Sequence, residues 1–130
     1  MVALDTNVYI YFLENNPEFF TSAERAIKYA LEGDSICVPT ITLMEIISGV
    51  PDSMLIVDFF ANPQFEVYDF TTPLAYSAGQ LRYNHKSLKA ADSIHIATAI
   101  ENKATQFITN DERLSKLKLD IEIVPLATFQ

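Results

Sequence analysis

Five short apolar segments, separated by longer stretches with helical periodicity, constrain the fold of this chain more than any other feature. The segments are rich in Val, Ile and Phe, and they predict strands at Val2–Asp5, Ser35–Pro39, Phe65–Tyr68, Gln106–Thr109 and Ile121–Val124. Strands that alternate with helices form a parallel sheet that is covered on both faces. We therefore predict one α/β domain over residues 1–130, with four or five parallel strands sandwiched between helices.

The stretches between the strands predict helices through their apolar spacing and their end signals. Apolar residues from Phe20 to Leu31 repeat at helical intervals, and Gly33 ends this helix. Thr72 and Pro73 are typical of a capping residue and a first helical position, and they open a helix toward Asn84. Further helices are predicted at 40–48, 51–61 and 88–102, with a short one beginning near residue 111.

Composition bounds the class of protein. With 130 residues, 49% of them hydrophobic, the chain can bury a core. The basic segment of a signal peptide is missing, and no apolar run approaches the ~18 residues that a membrane span requires. The single cysteine, Cys37, excludes an internal disulfide and a cysteine zinc cluster. We therefore expect a cytoplasmic protein that is not attached to a membrane.

The net charge and the local charge distribution lead to opposite expectations about nucleic-acid binding. The formal net charge of −8 argues against it. Residues 82–118, however, contain seven of the nine basic residues and only four acidic ones. A phosphate-binding face is compatible with that segment, although the same lysines and arginines could simply be solvated helix faces.

Four acidic residues occupy similar places relative to the predicted strands. Asp5 ends the first strand, Asp111 follows the fourth, and Glu45 and Asp92 lie early in helices. In parallel α/β sheets, ligands bind beyond the carboxyl ends of the strands. Three of these residues could instead cap helices. Asp5 could be an N-cap, and Glu45 could form a capping box with Thr42. Asp111 could be a cap, with Thr109 and Glu112 as a second capping box.

Asp92 has no such explanation in the sequence. On a wheel for residues 88–102 it lies in the middle of an apolar stripe formed by Leu88, Ile96, Ala99 and Ile100. A buried carboxylate must be paired, hydrogen-bonded, bound to a metal or protonated. A basic partner such as Arg82 is one explanation, and a divalent cation is the other.

A divalent cation would relieve the repulsion among converging carboxylates. Mg²⁺ and Mn²⁺ prefer oxygen ligands, and such an ion can polarise a phosphodiester and lower the pKa of a water. His95, one turn after Asp92, is predicted to support the site or pack in the core rather than to bind the metal. His85 is expected to be solvated or to contribute to the basic segment.

Four motifs together resemble a PIN domain, and among PIN domains a VapC-type toxin. They are LDTNV at 4–8, TLMEIISG at 42–49, ADSIHIATAI at 91–100 and FITND at 107–111. The resemblance covers nearly the whole chain. It implies a Mg²⁺-dependent endoribonuclease, with Mn²⁺ as an alternative, that cuts RNA, forms a homodimer and is held inactive by a cognate antitoxin protein.

The resemblance also implies roles for individual residues. The family's four catalytic, metal-binding acidic positions correspond to Asp5, Glu45, Asp92 and Asp111. Asp5 and Asp92 would be the principal Mg²⁺ ligands, and the other two would complete the pocket partly through water. Thr6, Asn7 and Thr109 would orient these ligands through hydrogen bonds.

Other functions fit the residues less well. A phosphatase with Asp5 as nucleophile needs a second aspartate two residues later, where this chain has Asn7, and no glycine-rich phosphate loop is present. An inactive PIN-like module that binds RNA or protein is the second hypothesis. The apolar stretch at residues 54–61 predicts either part of a dimer or antitoxin surface, or a deeply buried helix.

Overall fold

The computed structural model describes residues 1–130 and contains one five-stranded sheet. The strands are β1 (Val2–Leu4), β2 (Ile36–Pro39), β3 (Phe65–Tyr68), β4 (Gln106–Thr109) and β5 (Glu122–Pro125). Their order is β3-β2-β1-β4-β5, and every neighbouring pair is parallel. The prediction of a parallel α/β sheet is confirmed, and the strand count is five. Three of the predicted strands differ from these by a single residue at one end or at both ends.

Seven α-helices and a short C-terminal 3-10 helix surround the sheet. They are α1 (Thr6–Leu13), α2 (Phe20–Glu32), α3 (Thr40–Gly49), α4 (Ser53–Phe59), α5 (Thr72–Asn84), α6 (Ala90–Glu101), α7 (Glu112–Ser115) and the 3-10 helix Leu126–Phe129. None of the helices is long and apolar enough to cross a membrane.

The sequence predicts no range for helix α1, although the capping explanation of Asp5 requires a helix to begin directly after that residue. Its sequence, TNVYIYFL, is apolar from its third residue onward, so it carries no helical repeat of polar and apolar positions. Its β-branched and aromatic residues also have a preference for strands. Packing decides the outcome, because Val8 and Tyr9 are completely buried in the core beneath the sheet.

Residues of the strands point alternately to two cores, one on each face of the sheet. Val2 and Leu4 belong to the larger core, together with residues of α1 and α2. Ala3 and Cys37 belong to the smaller core, together with Ile96 and other residues of α6. This alternation follows from the two-residue period of a strand, and it confirms that helices cover both faces.

Two helix starts differ from the predicted ones because another residue provides the cap. Thr71 rather than Thr72 caps α5, and its hydroxyl accepts a hydrogen bond from the Leu74 amide at 3.4 Å. Asp52 caps α4 through the amides of the two residues that follow Ser53, so this helix begins at Ser53 rather than at Pro51. In both cases a capping oxygen satisfies amides that lack a partner within the helix.

Helix α4 presents apolar side chains to solvent. Met54, Leu55 and Val57 are exposed, and Ile56 is the buried residue of the helix. The alternative of a deeply buried helix at residues 54–61 is therefore wrong.

Tyr9 has an unsatisfied hydroxyl group in the larger core. The side chain is fully buried, its ring lies 5.2 Å from that of Phe60, and its hydroxyl has no hydrogen-bond partner. A buried polar group without a partner keeps its desolvation penalty. We expect Tyr9→Phe to raise the free energy of unfolding by about 1–2 kcal/mol, measured by urea denaturation. Tyr76→Phe, at an exposed tyrosine, is the matched control and should leave stability unchanged; a less stable Tyr9→Phe would contradict the prediction.

Candidate active site

The four predicted acidic residues come together where the strand order of the sheet reverses. From β1 the chain proceeds first to β2 and β3 on one side, and later to β4 and β5 on the other. Parallel sheets form a crevice beyond the carboxyl ends of the strands at such a point. Asp5 follows β1, Asp111 lies beyond β4, and both line a cleft of about 470 Å³ that Glu45 and Asp92 also line.

Asp5 is held on both of its carboxylate oxygens. Oδ1 accepts a hydrogen bond from the Thr6 amide at 2.8 Å, so Asp5 caps α1. Oδ2 accepts from the hydroxyl of Thr109 at 2.7 Å, across the β1–β4 pair. Burial raises the pKa of Asp5, the Thr109 hydrogen bond opposes this shift, and the charge of Asp92 adds to it. Asp5 is thus oriented toward the cleft while it also caps a helix.

Glu45 is fixed by a buried histidine rather than by a capping box. Its Oε1 lies 2.6 Å from Nε2 of His95 and accepts from the Thr6 hydroxyl at 2.7 Å. Nδ1 of His95 lies 3.2 Å from the hydroxyl of Thr42, and His95 is only 2% exposed. The expected Thr42–Glu45 capping box is wrong, because α3 begins directly after Pro39 at the end of β2 and Glu45 lies in its second turn. The supporting role predicted for His95 agrees with these contacts.

The pKa of Glu45 predicts how the metal-free protein responds to acid. The hydrogen bond from His95 lowers the pKa of Glu45 below its ordinary value of 4.5, so ionised Glu45 stabilises the fold. This stabilisation is complete above the ordinary pKa and is lost as the pH falls through the lowered one. We therefore expect the stability advantage of the wild type over Glu45→Gln to shrink below pH 4.5, measured by urea unfolding.

A control separates this effect from general acid unfolding. Glu32→Gln, which changes an exposed glutamate at the end of α2, is the matched control and is measured over the same pH range. Asp5 acts in the opposite direction, because burial raises its pKa and its protonation favours the folded state. An advantage over Glu45→Gln that grows with acid would contradict the prediction.

Asp92 lies in the first turn of α6 and not in the middle of a buried stripe. The helix begins at Ala90 rather than at Leu88, and Oδ2 of Asp92 accepts a hydrogen bond from the Lys89 amide at 3.2 Å. The prediction that Asp92 lacks a capping role is therefore wrong. Leu88 is buried ahead of the helix, which explains why the apolar pattern extends beyond the helical residues. The side chain of Asp92 is 18% exposed and faces the cleft.

Arg113 is the basic residue that contacts the acidic cluster. Its guanidinium lies 2.6 Å from Oδ2 of Asp111 and 3.5 Å from Oδ2 of Asp92. The hydrogen bonds of Arg113 lower the pKa of Asp111. The prediction that Arg82 could pair with Asp92 is wrong. Nε of Arg82 donates instead to the carbonyl of Leu88 at 3.1 Å. Nothing in the sequence distinguishes Arg113 from the other basic residues.

Asp111 caps α7, as the sequence indicates. It accepts a hydrogen bond from the Arg113 amide at 3.0 Å, and its own amide donates to the Thr109 hydroxyl at 3.0 Å. Because Asp111 is the N-cap, the expected Thr109–Glu112 capping box is not formed. Asn7 lines the cleft with an exposed side chain that makes no hydrogen bond, and Lys89 is a second basic residue of the lining.

The acidic side chains do not form a closed set of ligands around one position. No three His, Cys, Asp or Glu side chains lie close enough together to hold one ion between them. Asp92 and Asp111 are engaged with Arg113, and Glu45 is engaged with His95. The cleft therefore offers carboxylate oxygens from several directions, with a guanidinium group among them.

Comparison with known proteins establishes the family. The sequence profile of the PIN domain matches residues 2–119, which is most of the chain. The chain belongs to the PIN domain family. The resemblance of the four motifs is thereby confirmed, and the five-stranded parallel sheet is the fold that this PIN domain adopts.

This PIN domain is similar to a VapC endonuclease and to solved structures that include a toxin–antitoxin complex. Over 85 residues it is 33% identical to the tRNA(fMet)-specific endonuclease VapC of Salmonella typhimurium, a match that covers 61% of this chain and 60% of that protein. A toxin–antitoxin complex from Klebsiella pneumoniae superposes with a TM-score of 0.78 at 21% identity, over 97% of this chain and 98% of the other. DNA-bound VapBC from Salmonella typhimurium gives a TM-score of 0.70 at 25% identity, over 96% and 97%.

Proposed function

We propose that this PIN domain is a metal-dependent endoribonuclease, and that it acts as the toxin of a toxin–antitoxin pair. The observation that carries the proposal is the convergence of Asp5, Glu45, Asp92 and Asp111 on one cleft at the switch point of the sheet. The similarity to the Salmonella VapC, a tRNA-specific endonuclease, supports the same class of reaction. A cytoplasmic location is part of the proposal.

The donor set of the cleft fits Mg²⁺ or Mn²⁺. Both ions prefer oxygen ligands, and Mg²⁺ is commonly held by one or two carboxylates with waters completing the octahedron. Asp5 and Asp92 would hold the ion, since the charge of Asp92 acts on Asp5 and both residues line the cleft. Glu45 and Asp111 would complete the shell, partly through water. Three directly converging carboxylates are therefore not required.

The side chains around the ligands would hold the reacting groups in place. Thr109 and the Thr6 amide fix both oxygens of Asp5, and His95 with the Thr6 hydroxyl fixes Glu45. When bound, a divalent cation supplies positive charge that polarises a phosphodiester and eases deprotonation of the attacking water. Lys89 and Arg113 face the same cleft and would attract the phosphates of the RNA.

A partner protein would cover an exposed apolar surface on α3 and α4. The surface consists of Met44, Ile47, Met54, Leu55 and Val57, whose side chains are all exposed. Met44 also lines the acidic cleft, so a chain bound there would lie beside the catalytic residues. The structures from Klebsiella and Salmonella are complexes of a toxin with its antitoxin, which favours an antitoxin as the occupant. A second copy of this chain, forming a homodimer, is the other proposed partner.

A metal titration combined with an RNA cleavage assay tests the activity. Purified protein is mixed with Mg²⁺ or Mn²⁺ and with structured RNA, including total tRNA and ribosomal RNA, and a chelator provides the matched control. We expect cleavage products and a higher melting temperature only when the metal is present. Intact RNA and a melting temperature that does not respond to metal would instead support an inactive module that binds RNA or protein.

A further inference from the structure

The outer face of α5 carries two tyrosines that have no role in the core. Tyr76 and Tyr83 are each 74% exposed, although tyrosine side chains are usually at least half-buried. They lie seven residues apart, two helical turns or about 10 Å along the axis, and they share one side of the helix. Between them is a shallow groove lined by Gly79, Gln80 and Asn84, among others. Two rings are thus presented to solvent over a common surface.

Gly79 keeps the surface between the tyrosines bare. A glycine in the middle of a helix destabilises it relative to alanine. Here the backbone does not need glycine, because its φ is not positive and a Cβ added at Gly79 would meet no atom within 4 Å. The fold therefore gains nothing from this glycine, whereas any longer side chain would fill the groove between the two rings.

Basic side chains border the same face of α5. The ammonium group of Lys86 lies 4.2 Å from the centre of the Tyr83 ring, and Arg82 and Lys86 line a second concavity together with Gly79 and Tyr83. No acidic residue lines either concavity, in a chain whose formal charge is −8. The loop that follows α5 leads within a few residues to Lys89, which lines the acidic cleft.

From these contacts we infer that the face of α5 bearing Tyr76, Gly79 and Tyr83 is a stacking platform for unpaired bases of an RNA. This inference rests on the proposed function, since it deepens the same reaction by naming the form of RNA that is bound. Aromatic rings stack on any exposed base, whereas the bases of a duplex are already stacked on one another. The neighbouring Arg82, Lys86 and Lys89 supply the charge that follows the phosphate backbone.

The absence of tryptophan from the chain permits a direct test. In Tyr83→Trp the platform carries the sole indole, and we expect its fluorescence to be quenched by a fluorophore-free, unstructured RNA of ~10 nucleotides in metal-free buffer. Adding Tyr76→Ala or Gly79→Met to this reporter should weaken the measured affinity by about tenfold or more. Tyr76→Phe, which keeps the ring, should retain the affinity, and circular dichroism confirms that each variant is folded.

Two results would overturn the platform. One is an indole signal that RNA does not change, or an affinity that Tyr76→Ala leaves unaltered. The other is an indole signal of Tyr83→Trp that changes with protein concentration and not with RNA. If the wild type is also a dimer that Tyr83→Ala dissociates, the face belongs to the contact with a second copy of this chain. Wild-type cleavage is measured separately, so a protein that cuts RNA but fails these tests refutes the platform alone. A protein that stacks bases but cuts no RNA refutes the proposed function alone.

Discussion

Asp92→Asn is expected to lose metal-dependent RNA cleavage by at least about 100-fold while the protein remains folded. The substitution removes the negative charge from one of the two proposed metal ligands but keeps a carbonyl oxygen that can accept the Lys89 amide at the start of α6. The lost contact with Arg113 is 3.5 Å long and partly exposed, so the free energy of unfolding should change by no more than about 1 kcal/mol. Cleavage is measured on structured RNA, and stability is measured by thermal melting with and without Mg²⁺.

The same pair of measurements distinguishes a metal ligand from a structural ion pair. Binding of an ion to the folded state alone raises the melting temperature, so the wild type should respond to Mg²⁺ or Mn²⁺ and Asp92→Asn should not. Glu101→Gln is the matched control, because it removes a carboxylate from the other end of the same helix, where it contacts Ser77. A variant at position 92 that unfolds would favour a structural ion pair with Arg113, and one that still cuts RNA would remove Asp92 from the proposed site.

His95→Leu should produce the largest loss of stability among the residues around the cleft. The imidazole is buried, and its removal leaves the Thr42 hydroxyl without a partner, while Glu45 and the Thr6 hydroxyl keep only each other. We expect the free energy of unfolding to fall by about 2–4 kcal/mol, measured by urea denaturation of metal-free protein. Because Glu45 would be held by the Thr6 hydroxyl alone, cleavage should fall by about 10- to 100-fold under conditions in which the variant is folded.

A conservative variant shows whether His95 acts through Glu45. His95→Gln offers an amide N–H in place of Nε2, so it should recover part of both losses if the hydrogen bond to Glu45 is what matters. His85→Leu changes the only other histidine, which is half-buried at the end of α5, and should leave the stability close to that of the wild type. Equal losses in the leucine and glutamine variants would indicate that His95 contributes packing alone.

The sequence predicts the strands of this PIN domain well because each strand is marked locally. Residues such as Ile36 and Val38 form short, dense apolar segments, and the alternation of these segments with helical stretches requires a parallel sheet. Helix α1 is not marked locally in the sequence, because its apolar residues are not spaced as on one face of a helix. Its conformation follows from burial of Val8 and Tyr9, which is a property of the folded protein.

The sequence predicts which acidic residues line the candidate site, but it does not predict which side chains contact them. The carboxyl ends of strands indicate where Asp5 and Asp111 lie, because this position depends only on the order of elements. The partners of the acids depend on tertiary distance instead. Glu45 meets His95 across 50 residues of sequence, and Arg113 rather than Arg82 reaches Asp92. The Thr42–Glu45 spacing indicates a cap equally well, and only the start of α3 at Thr40 decides against it.

The pairing of β1 with β4 has a consequence for the synthesis of this protein. Asp5 and Thr109, which are in contact in the folded site, are separated by 104 residues, so β1 must wait for β4 to leave the ribosome. A nascent chain therefore has no assembled acidic cleft until β4 has emerged, and an enzyme of the proposed kind cannot attack the RNAs of the machinery translating it before that point.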